Sequence, residues 1–279
     1  MFIAQVWRCL FRIQGFVHRR CVALYLRCEL ILTRDNRPRK IVKKTGKNLY
    51  ASAVGAGGKA YLEKVIREFG RRDLEYWIFV YDDTTFDEEI FNQCRFVREK
   101  GLKWYFMKKY LTPAQCEAFD YIFVWDDDLD IGAFSYKRFI QIMEANDLDV
   151  AQPALAGDNW AHRITCQRER GLGRLVDFVE IMAPVFTREA WKRWWYMMES
   201  DSNGWGFYYD DLAKSYCGYK RMAVIDAETV NHAFPPKCAF SSQTSSDRKK
   251  AADGFLKKWH FLKRASHACY GSLRQPIDV

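Results

Sequence analysis

A length of 279 residues leaves room for one large α/β domain or two small ones, and the chain is 49% hydrophobic and 16% aromatic. This composition excludes a disordered chain. The net charge is +9, but residues 1–50 alone carry 12 Lys and Arg against Glu29 and Asp35. The rest of the chain is close to neutral, which makes nucleic acid an unfavourable partner and points to a basic N-terminal arm.

The N-terminal arm and the cysteines indicate the cellular compartment of the protein. Nine cysteines, odd in number and without a C-x-x-C pair, are typical of reduced thiols in the cytoplasm. Arginines interrupt the apolar stretch 1–33, so it predicts neither a membrane-spanning helix nor a signal peptide. Two interpretations stay open for it: a packed soluble helix, or an amphipathic helix in peripheral contact with a membrane.

After the arm, strands and helices alternate along the chain. The predicted elements are, in order, strand 49–54, helix 59–69, strand 75–81, helix 86–99, strand 102–107, helix 113–119, strand 121–125, helix 136–146, strand 150–153, a helix that begins after Thr187, strand 222–225, a loop 241–253 and a helical tail 255–262. This alternation is the signature of a mixed, mostly parallel Rossmann-like sheet with helices on both faces. We predict a basic arm and linker over 1–47 and a single α/β domain over 48–279.

The apolar run Tyr121–Trp125 leads directly into a cluster of aspartates that includes Asp126, Asp127 and Asp128. Such a run predicts a buried parallel strand, and ligands of open α/β sheets bind just beyond the carboxyl ends of the strands. Two carboxylates that are two residues apart can share one divalent cation and leave positions open for a phosphate. We therefore predict a D-x-D metal motif at Asp126 and Asp128. The alternative is a solvated acidic turn.

Four residues further along the chain are also candidates for a functional site. Trp205 lies between two glycines, as in a tight loop that presents an aromatic platform to a sugar or an acceptor. Asp210 and Asp211 follow, and they can serve as general base and hydrogen-bond acceptor, or can stabilise a helix N-terminus without a catalytic role. His232 follows the predicted last strand and can complete a metal shell, although a single histidine is often structural.

Two more features are open to two interpretations each. Glu180 is a carboxylate in an apolar segment, so it must either pair with a cation or line a cleft, and we favour the cleft. The glycine cluster 55–58 does not complete G-x-G-x-x-G, because residue 60 is Ala. A tight turn is favoured there over a phosphate cradle, and backbone contacts from Val54 and Gly55 to a base or ribose fit this place in the fold.

Three blocks carry a family resemblance: residues 119–129, 151–155 and 179–186. In this order they resemble an uncharacterised plant and microbial family that is often labelled "lysine-ketoglutarate reductase trans-splicing related". Its members are similar to GT-A glycosyltransferases, and the resemblance covers roughly residues 48–235. The chain is also similar to metal-dependent xylosyltransferases of large algal viruses, in which case its cytoplasmic location would be the host cytoplasm.

The resemblance implies a role for each matching residue. It puts Asp128 on the metal, Asp126 nearer the ribose or a metal-bound water, and His232 in the metal shell. It makes the pair Asp210 and Asp211 the source of the base, and we favour Asp211. It puts Asp82 where such folds hold the nucleotide base.

The predicted site residues fall into four groups. They are Asp211 and Asp210 for catalysis; Asp126, Asp128 and His232 for the metal; Val54, Gly55, Asp82, Asp126 and Asp127 for the nucleotide; and Glu180, Trp205 and Tyr209 for the sugar or acceptor. The expected activity is sugar transfer, with xylose as one candidate, from a UDP-sugar to a glycan hydroxyl. It would use Mn²⁺ or Mg²⁺ and invert the anomeric centre. The alternatives are metal-dependent nucleotidyl or phosphoryl transfer, and a catalytically silent nucleotide- or glycan-binding domain.

Overall fold

The computed structural model describes residues 44–132, 134–157, 162–168, 171–199, 204–233 and 245–275. Residues 1–43, which make up most of the predicted basic arm, lie outside the described residues, so peripheral membrane contact and the boundary at residue 47 stay predictions. None of the helices in the described ranges combines the length and the apolar character that a membrane crossing needs.

Strands and helices account for most of this part of the chain. Its ten strands are β1 Asn48–Val54, β2 Leu74–Val80, β3 Cys94–Arg98, β4 Tyr121–Trp125, β5 Leu129–Asp130, β6 Val150–Leu155, β7 Arg174–Val176, β8 Val185–Thr187, β9 Met222–His232 and β10 Cys269–Ser272. Its six helices are α1 Lys59–Phe69, α2 Lys103–Tyr110, α3 Tyr136–Ala145, α4 Arg188–Met197, α5 Tyr209–Cys217 and α6 Ser245–Lys258, and a 3₁₀ turn covers Glu89–Gln93.

All ten strands join one sheet. Its order is β10-β7-β9-β6-β8-β4-β1-β2-β3, and β5 pairs with β9 to one side of this path. The long pairings are parallel, as between β1 and its neighbours β2 and β4 and between β6 and β9, whereas the antiparallel pairings are short. The predicted class, a mixed and mostly parallel α/β sheet, is confirmed.

Helices cover both faces of this sheet. Side chains alternate between the two faces along each strand, and the central strands β1 and β4 are buried throughout, so each face presents apolar side chains to a helix. On one face the ring of Tyr50 in β1 meets Phe69 of α1 edge to face, with centroids 6.2 Å apart. On the other face Phe79 of β2 stacks on Phe106 of α2 at 5.3 Å. The aromatic side chains therefore form a core on each side and hold the strand ends in fixed positions.

Three predicted elements are wrong. The segment 113–119, expected to be a helix, forms a succession of turns and is not a regular helix. The segment 94–98, expected to be helical, is β3, a half-exposed edge strand, and it lacks the apolar alternation of a buried strand. The segment 102–107, expected to be a strand, begins α2, in which Trp104, Phe106 and Met107 are all buried. Neighbouring elements on the folded chain decide the latter two outcomes, since β3 gains its backbone partners only from β2.

Two boundaries also shift. The last predicted strand continues to His232, so this histidine is the final residue of β9 instead of a loop residue. The predicted loop 241–253 contains the start of α6 at Ser245. The extension of β9 matters for function, because it carries His232 to the carboxyl end of β4.

Candidate active site

The carboxyl end of β4 is held by two neighbouring segments. All residues of β4 are buried, and Asp126 follows at once, with its backbone N–H donating to Met182 O at 2.9 Å. Leu129 of β5 lies opposite His232 of β9, and Ala233 N donates to Asp128 O at 2.8 Å. The end of β9 and the loop before β8 thus meet at the aspartate cluster.

Asp128 and His232 form the first pair of the site. His232 Nε2 lies 2.9 Å from Asp128 Oδ2, and this hydrogen bond and the carboxylate charge raise the pKa of His232. The other oxygen, Asp128 Oδ1, is buried and has no hydrogen-bond partner among the described residues. A buried carboxylate oxygen without a donor is costly unless a ligand fills the gap, and a cation is the natural ligand of such an atom.

Asp126, the other half of the predicted motif, has a different partner. Its Oδ1 forms an ion pair with Lys103 Nζ, from the first turn of α2. The Lys103 side chain is only 10% exposed, whereas that of Asp126 is 36% exposed. Desolvation raises the pKa of Asp126, the Lys103 charge opposes this rise, and Asp128 adds to it. The two carboxylates of the motif are therefore close enough to interact but differ in their partners.

A divalent cation fits Asp128 and His232 better than the full predicted set. The described residues contain no ready group of three His, Cys, Asp or Glu side chains that could hold a metal. Asp128 offers a buried oxygen without a donor, and His232 lies beside it. Such a site suits an ion that takes two protein ligands and completes its shell with phosphate oxygens and water.

The predicted nucleotide-binding residues meet at the ends of β1 and β2. Asp127 Oδ2 accepts hydrogen bonds from Gly55 N at 3.0 Å and Tyr81 OH at 2.9 Å, and burial raises the pKa of Asp127 to about 6. Asp82 Oδ2 accepts from Ala56 N at 2.9 Å. Burial raises the pKa of Asp82, but hydrogen bonds from Thr84 and Ala56 outweigh burial and lower it overall.

The glycine turn therefore holds carboxylates of the protein. The backbone N–H groups of Gly55 and Ala56 that a phosphate cradle would use are occupied by Asp127 and Asp82. A side chain at Gly58 would place its Cβ 2.4 Å from the Asp127 carboxylate, so the glycine is needed for close approach. This geometry favours the tight turn over the phosphate cradle. Val54, the last residue of β1, is fully buried, and its contact with a nucleotide stays a prediction.

Glu180 is a half-buried neighbour of the aspartate cluster. Its backbone N–H donates to Gln152 Oε1 at 2.6 Å, and Thr165 Oγ1 donates to its carboxylate at 3.3 Å. Burial, followed by the charge of Asp126, raises the pKa of Glu180 to about 7. Its carboxylate has no ion pair with a cation among the described residues, and its place in a cleft stays a prediction.

Asp210 and Asp211, in the first turn of α5, have unequal surroundings. Asp211 Oδ2 accepts a hydrogen bond from Arg264 at 2.6 Å, and His267 Nε2 lies 3.6 Å from Oδ1. Asp210 accepts from the backbone N–H groups of Asp211 and Ile181 at 2.9 and 3.4 Å. Burial, then the charge of Asp211, raises the pKa of Asp210 to about 7, and the Glu180 charge adds to the rise. Asp210 thus belongs to the same cluster as Glu180.

The two aromatic candidates also differ. Tyr209 is fully buried, its ring meets Trp104, Trp194 and Phe255 edge to face, and Glu199 N donates to its hydroxyl at 3.1 Å. This ring has no face for a sugar, so the structure places it in the core and outside the site. Trp205 is half-buried and stacks on Phe207 at 6.2 Å. Its role as a platform stays a prediction.

Sequence reasoning missed Lys103 and Arg264. Lys103 lies 23 residues before Asp126 in a segment expected to be a strand, and Arg264 lies 53 residues after Asp211 in the C-terminal tail. Both are ordinary basic residues without a local motif. Their roles become visible only in the folded chain, where each pairs with a carboxylate that is distant in the sequence.

Fold and site together define an α/β protein with an acidic cluster at the carboxyl ends of its strands. The chain belongs to DUF707, a family whose description is "protein of unknown function", and the family model matches residues 24–174 and 161–266. This description names no activity, so the reductase-related label and the viral xylosyltransferase similarity stay predictions. No curated protein matches the chain significantly.

Solved structures show weak similarity. One is residues 1–349 of TarS from S. aureus in complex with UDP-GlcNAc (10% identity, 76% of this chain and 66% of that chain, TM-score 0.48). A longer TarS structure has 9% identity and a TM-score of 0.44, and the match covers 77% of this chain and 43% of that chain. A candidate nucleotide-diphospho-sugar transferase from Desulfovibrio desulfuricans has 11% identity and a TM-score of 0.41. The match covers 78% of this chain and 99% of that chain. At these scores the similarity carries no inference about function.

Proposed function

We propose that this chain is a metal-dependent glycosyltransferase that moves a sugar, with xylose as one candidate, from a UDP-sugar to a glycan hydroxyl. The observation that carries the proposal is the pair of Asp128 and His232 at the carboxyl end of β4, with one buried Asp128 oxygen that lacks a donor. Carboxylates at this edge of an α/β sheet, beside the turn after β1, lie where such folds bind nucleotides. Two carboxyls with pKa values near 7, Glu180 and Asp210, lie in the same cluster.

The proposed reaction is one displacement at the anomeric carbon. The acceptor oxygen forms a bond to this carbon while the bond from the carbon to the phosphate oxygen breaks, and the leaving nucleoside diphosphate takes that electron pair. A bound Mn²⁺ or Mg²⁺ would neutralise charge on the leaving diphosphate. Asp128 and His232 would hold the ion, and a carboxylate would accept the proton of the acceptor hydroxyl. This displacement inverts the anomeric centre.

We propose Asp210 as the base, whereas the sequence favoured Asp211. Asp211 already accepts a hydrogen bond from Arg264, so one of its oxygens is engaged by the protein. Asp210 has a pKa near 7 and adjoins Ile181 and Glu180, and a base works best when its pKa is close to the working pH. We therefore assign proton acceptance to Asp210, and we assign to Glu180 a contact with the acceptor.

The test is release of nucleoside diphosphate from a panel of nucleotide sugars, with Mn²⁺ and with a chelator. The proposal expects Mn²⁺-dependent release from one donor, and no release by Asp128→Asn. Asp130→Asn is the matched control, because Asp130 is an acidic residue of the neighbouring strand β5 that pairs with the exposed Lys64. Pyrophosphate as the product would indicate nucleotidyl transfer instead. Titration with UDP then distinguishes a silent binding domain, which binds without turnover, from a chain with no nucleotide site.

A further inference from the structure

Lys103 is a largely buried cation beside Asp126 in the candidate site. Its ammonium group forms the ion pair with Asp126 and donates to the backbone carbonyls of Ile181 at 2.6 Å and Met182 at 3.4 Å. A lysine ammonium has three N–H donors, and each of them has an acceptor here. The side chain is 10% exposed and lies 5.1 Å from the centroid of the Trp104 ring.

These contacts make it energetically unfavourable for the Lys103 side chain to leave this position. A largely buried ammonium group that loses its carboxylate partner is left with an uncompensated charge, which is unfavourable. Lys103 also links three elements, since it starts α2, pairs with the end of β4 and holds the loop that carries Glu180. The Asp126 carboxylate therefore has a permanent positive partner that is part of the protein.

We propose that Lys103 acts as a built-in cation that occupies Asp126 and competes with a divalent ion for this carboxylate, so that Asp128 and His232 are the ion's protein ligands. The inference rests on the proposed function, because it concerns the metal site of that activity. Two observations agree with it: one of the two motif carboxylates is already paired with Lys103, and the described residues contain no group of three His, Cys, Asp or Glu side chains that could hold an ion.

The competition has a clear electrostatic consequence. An ammonium group beside the site repels an incoming cation, and it also engages one Asp126 oxygen. Loss of this charge frees the carboxylate and makes the site more negative, so the affinity for Mn²⁺ should rise. The same change should make Asp126 important for binding, whereas in the natural chain Asp126 should contribute little.

The experiment measures the dissociation constant of Mn²⁺ alone by isothermal titration calorimetry at one pH, for the natural chain and its variants. We expect Lys103→Met to bind Mn²⁺ at least threefold more tightly. Lys103→Gln should do the same, and it keeps an N–H donor for the Ile181 carbonyl if Lys103→Met does not fold. Lys103→Arg keeps the charge and should leave the affinity within twofold of the natural value.

Lys64→Met is the matched control. Lys64 of α1 pairs with Asp130 of β5 at 3.0 Å, so its loss removes one positive charge without freeing Asp126. Asp126→Asn should change the Mn²⁺ affinity by less than threefold in the natural chain but should abolish the gain of Lys103→Met. If Lys103→Met or Lys103→Gln binds Mn²⁺ no more tightly than Lys64→Met does, the competition does not exist.

The outcomes separate this inference from the proposed function. Natural protein that binds no Mn²⁺ and releases no nucleoside diphosphate contradicts the proposed function. In that case the inference still stands if Lys103→Met acquires Mn²⁺ binding that depends on Asp126 and Asp128, and it fails if the variant also binds none. Turnover together with an unchanged affinity in Lys103→Met supports the function and refutes the competition.

Discussion

The carboxylates around the end of β4 show how one residue type takes different states in one site. Asp126 has a lysine, Asp127 has two hydrogen-bond donors, and Asp128 has His232 together with an oxygen that lacks a donor. Asp210 and Glu180 have few donors, and burial raises their pKa values to about 7. The local partner of each carboxyl, and not its position in a motif, therefore decides what it can do.

Asp128→Asn tests the metal site at the scale of one residue. The amide keeps the shape of the carboxyl but removes the negative charge that a divalent ion requires. We expect at least a hundredfold loss of turnover together with a loss of Mn²⁺-dependent UDP binding, each measured beside Asp130→Asn. Full turnover in Asp128→Asn would show that the ion does not use this residue.

Asp210→Asn tests the raised pKa through stability. Between about pH 4 and pH 7 the Asp210 carboxyl ionises in the unfolded chain but stays protonated in the folded chain, so the natural protein loses stability as pH rises. Asparagine does not titrate and can still accept the bond from Asp211 N. As pH rises from 4 to 8, the free energy of unfolding of the variant should therefore increase by about 1 to 4 kcal/mol relative to that of the natural chain.

Urea denaturation at pH 4, 6 and 8 measures this difference, and Asp130→Asn, an exposed change, serves as the control. A difference between Asp210→Asn and the natural protein that does not depend on pH would show that the folded carboxyl titrates normally. If Asp210 is also the base, the same variant loses turnover at every pH.

At the scale of an element, the turn between β1 and α1 is shaped by the carboxylates that it holds. Gly58 has an ordinary φ of −93°, so the glycine is not needed for backbone conformation. It is needed for space, because an added Cβ would lie 2.4 Å from the Asp127 side chain. The turn and the aspartate cluster are thus one packed unit, and neither can change alone.

Gly58→Ala should therefore cost about 1 to 3 kcal/mol through overpacking, and alanine is also a poorer N-cap residue than glycine. Gly254→Ala is the control, since nothing lies within 4 Å of its added Cβ on α6, and it should stabilise the protein by about 0.5 to 1 kcal/mol. Thermal unfolding measures both changes. Asp127→Ala should recover part of the loss in the double variant, and a fully additive loss would show that the clash is elsewhere.

At the scale of the whole molecule, the C-terminal segment closes one edge of the sheet. β10 pairs with β7, and Asp177, just after β7, accepts hydrogen bonds from Ser266 N at 2.8 Å, Ser266 Oγ at 2.6 Å and Ala268 N at 2.7 Å. Burial raises the pKa of Asp177, but these bonds outweigh burial and lower it overall. A single buried carboxylate therefore fastens the segment that also delivers Arg264 to Asp211.

Asp177→Asn should destabilise the protein by about 1 to 3 kcal/mol at pH 7, because hydrogen bonds to a charged acceptor are lost. The folded pKa of Asp177 is lowered, so its contribution is present above its ordinary pKa near 4 and disappears as pH falls below it. Urea denaturation at pH 7 and pH 3 should show a difference that shrinks on acidification. Limited proteolysis should cut Asp177→Asn faster within residues 264–272.

Elements with a strong local pattern were predictable, and elements at the edge were not. The buried run of β4 and the amphipathic α1 follow from their own residues. In contrast, β3 has a half-exposed pattern and becomes a strand only because β2 offers it a parallel partner. Local periodicity cannot report a backbone partner that lies many residues away.

By itself the sequence determined the α/β class and the strand that ends in the aspartate cluster, and it offered His232 as one candidate partner of that cluster. These follow from apolar runs and from the rule that parallel strands end at one edge. Only the tertiary structure decided which carboxylate meets which cation, that Lys103 holds Asp126, that Arg264 holds Asp211, and that Tyr209 is core. The physical reason is that charge pairing and burial depend on distance in space, which the spacing along the chain does not record.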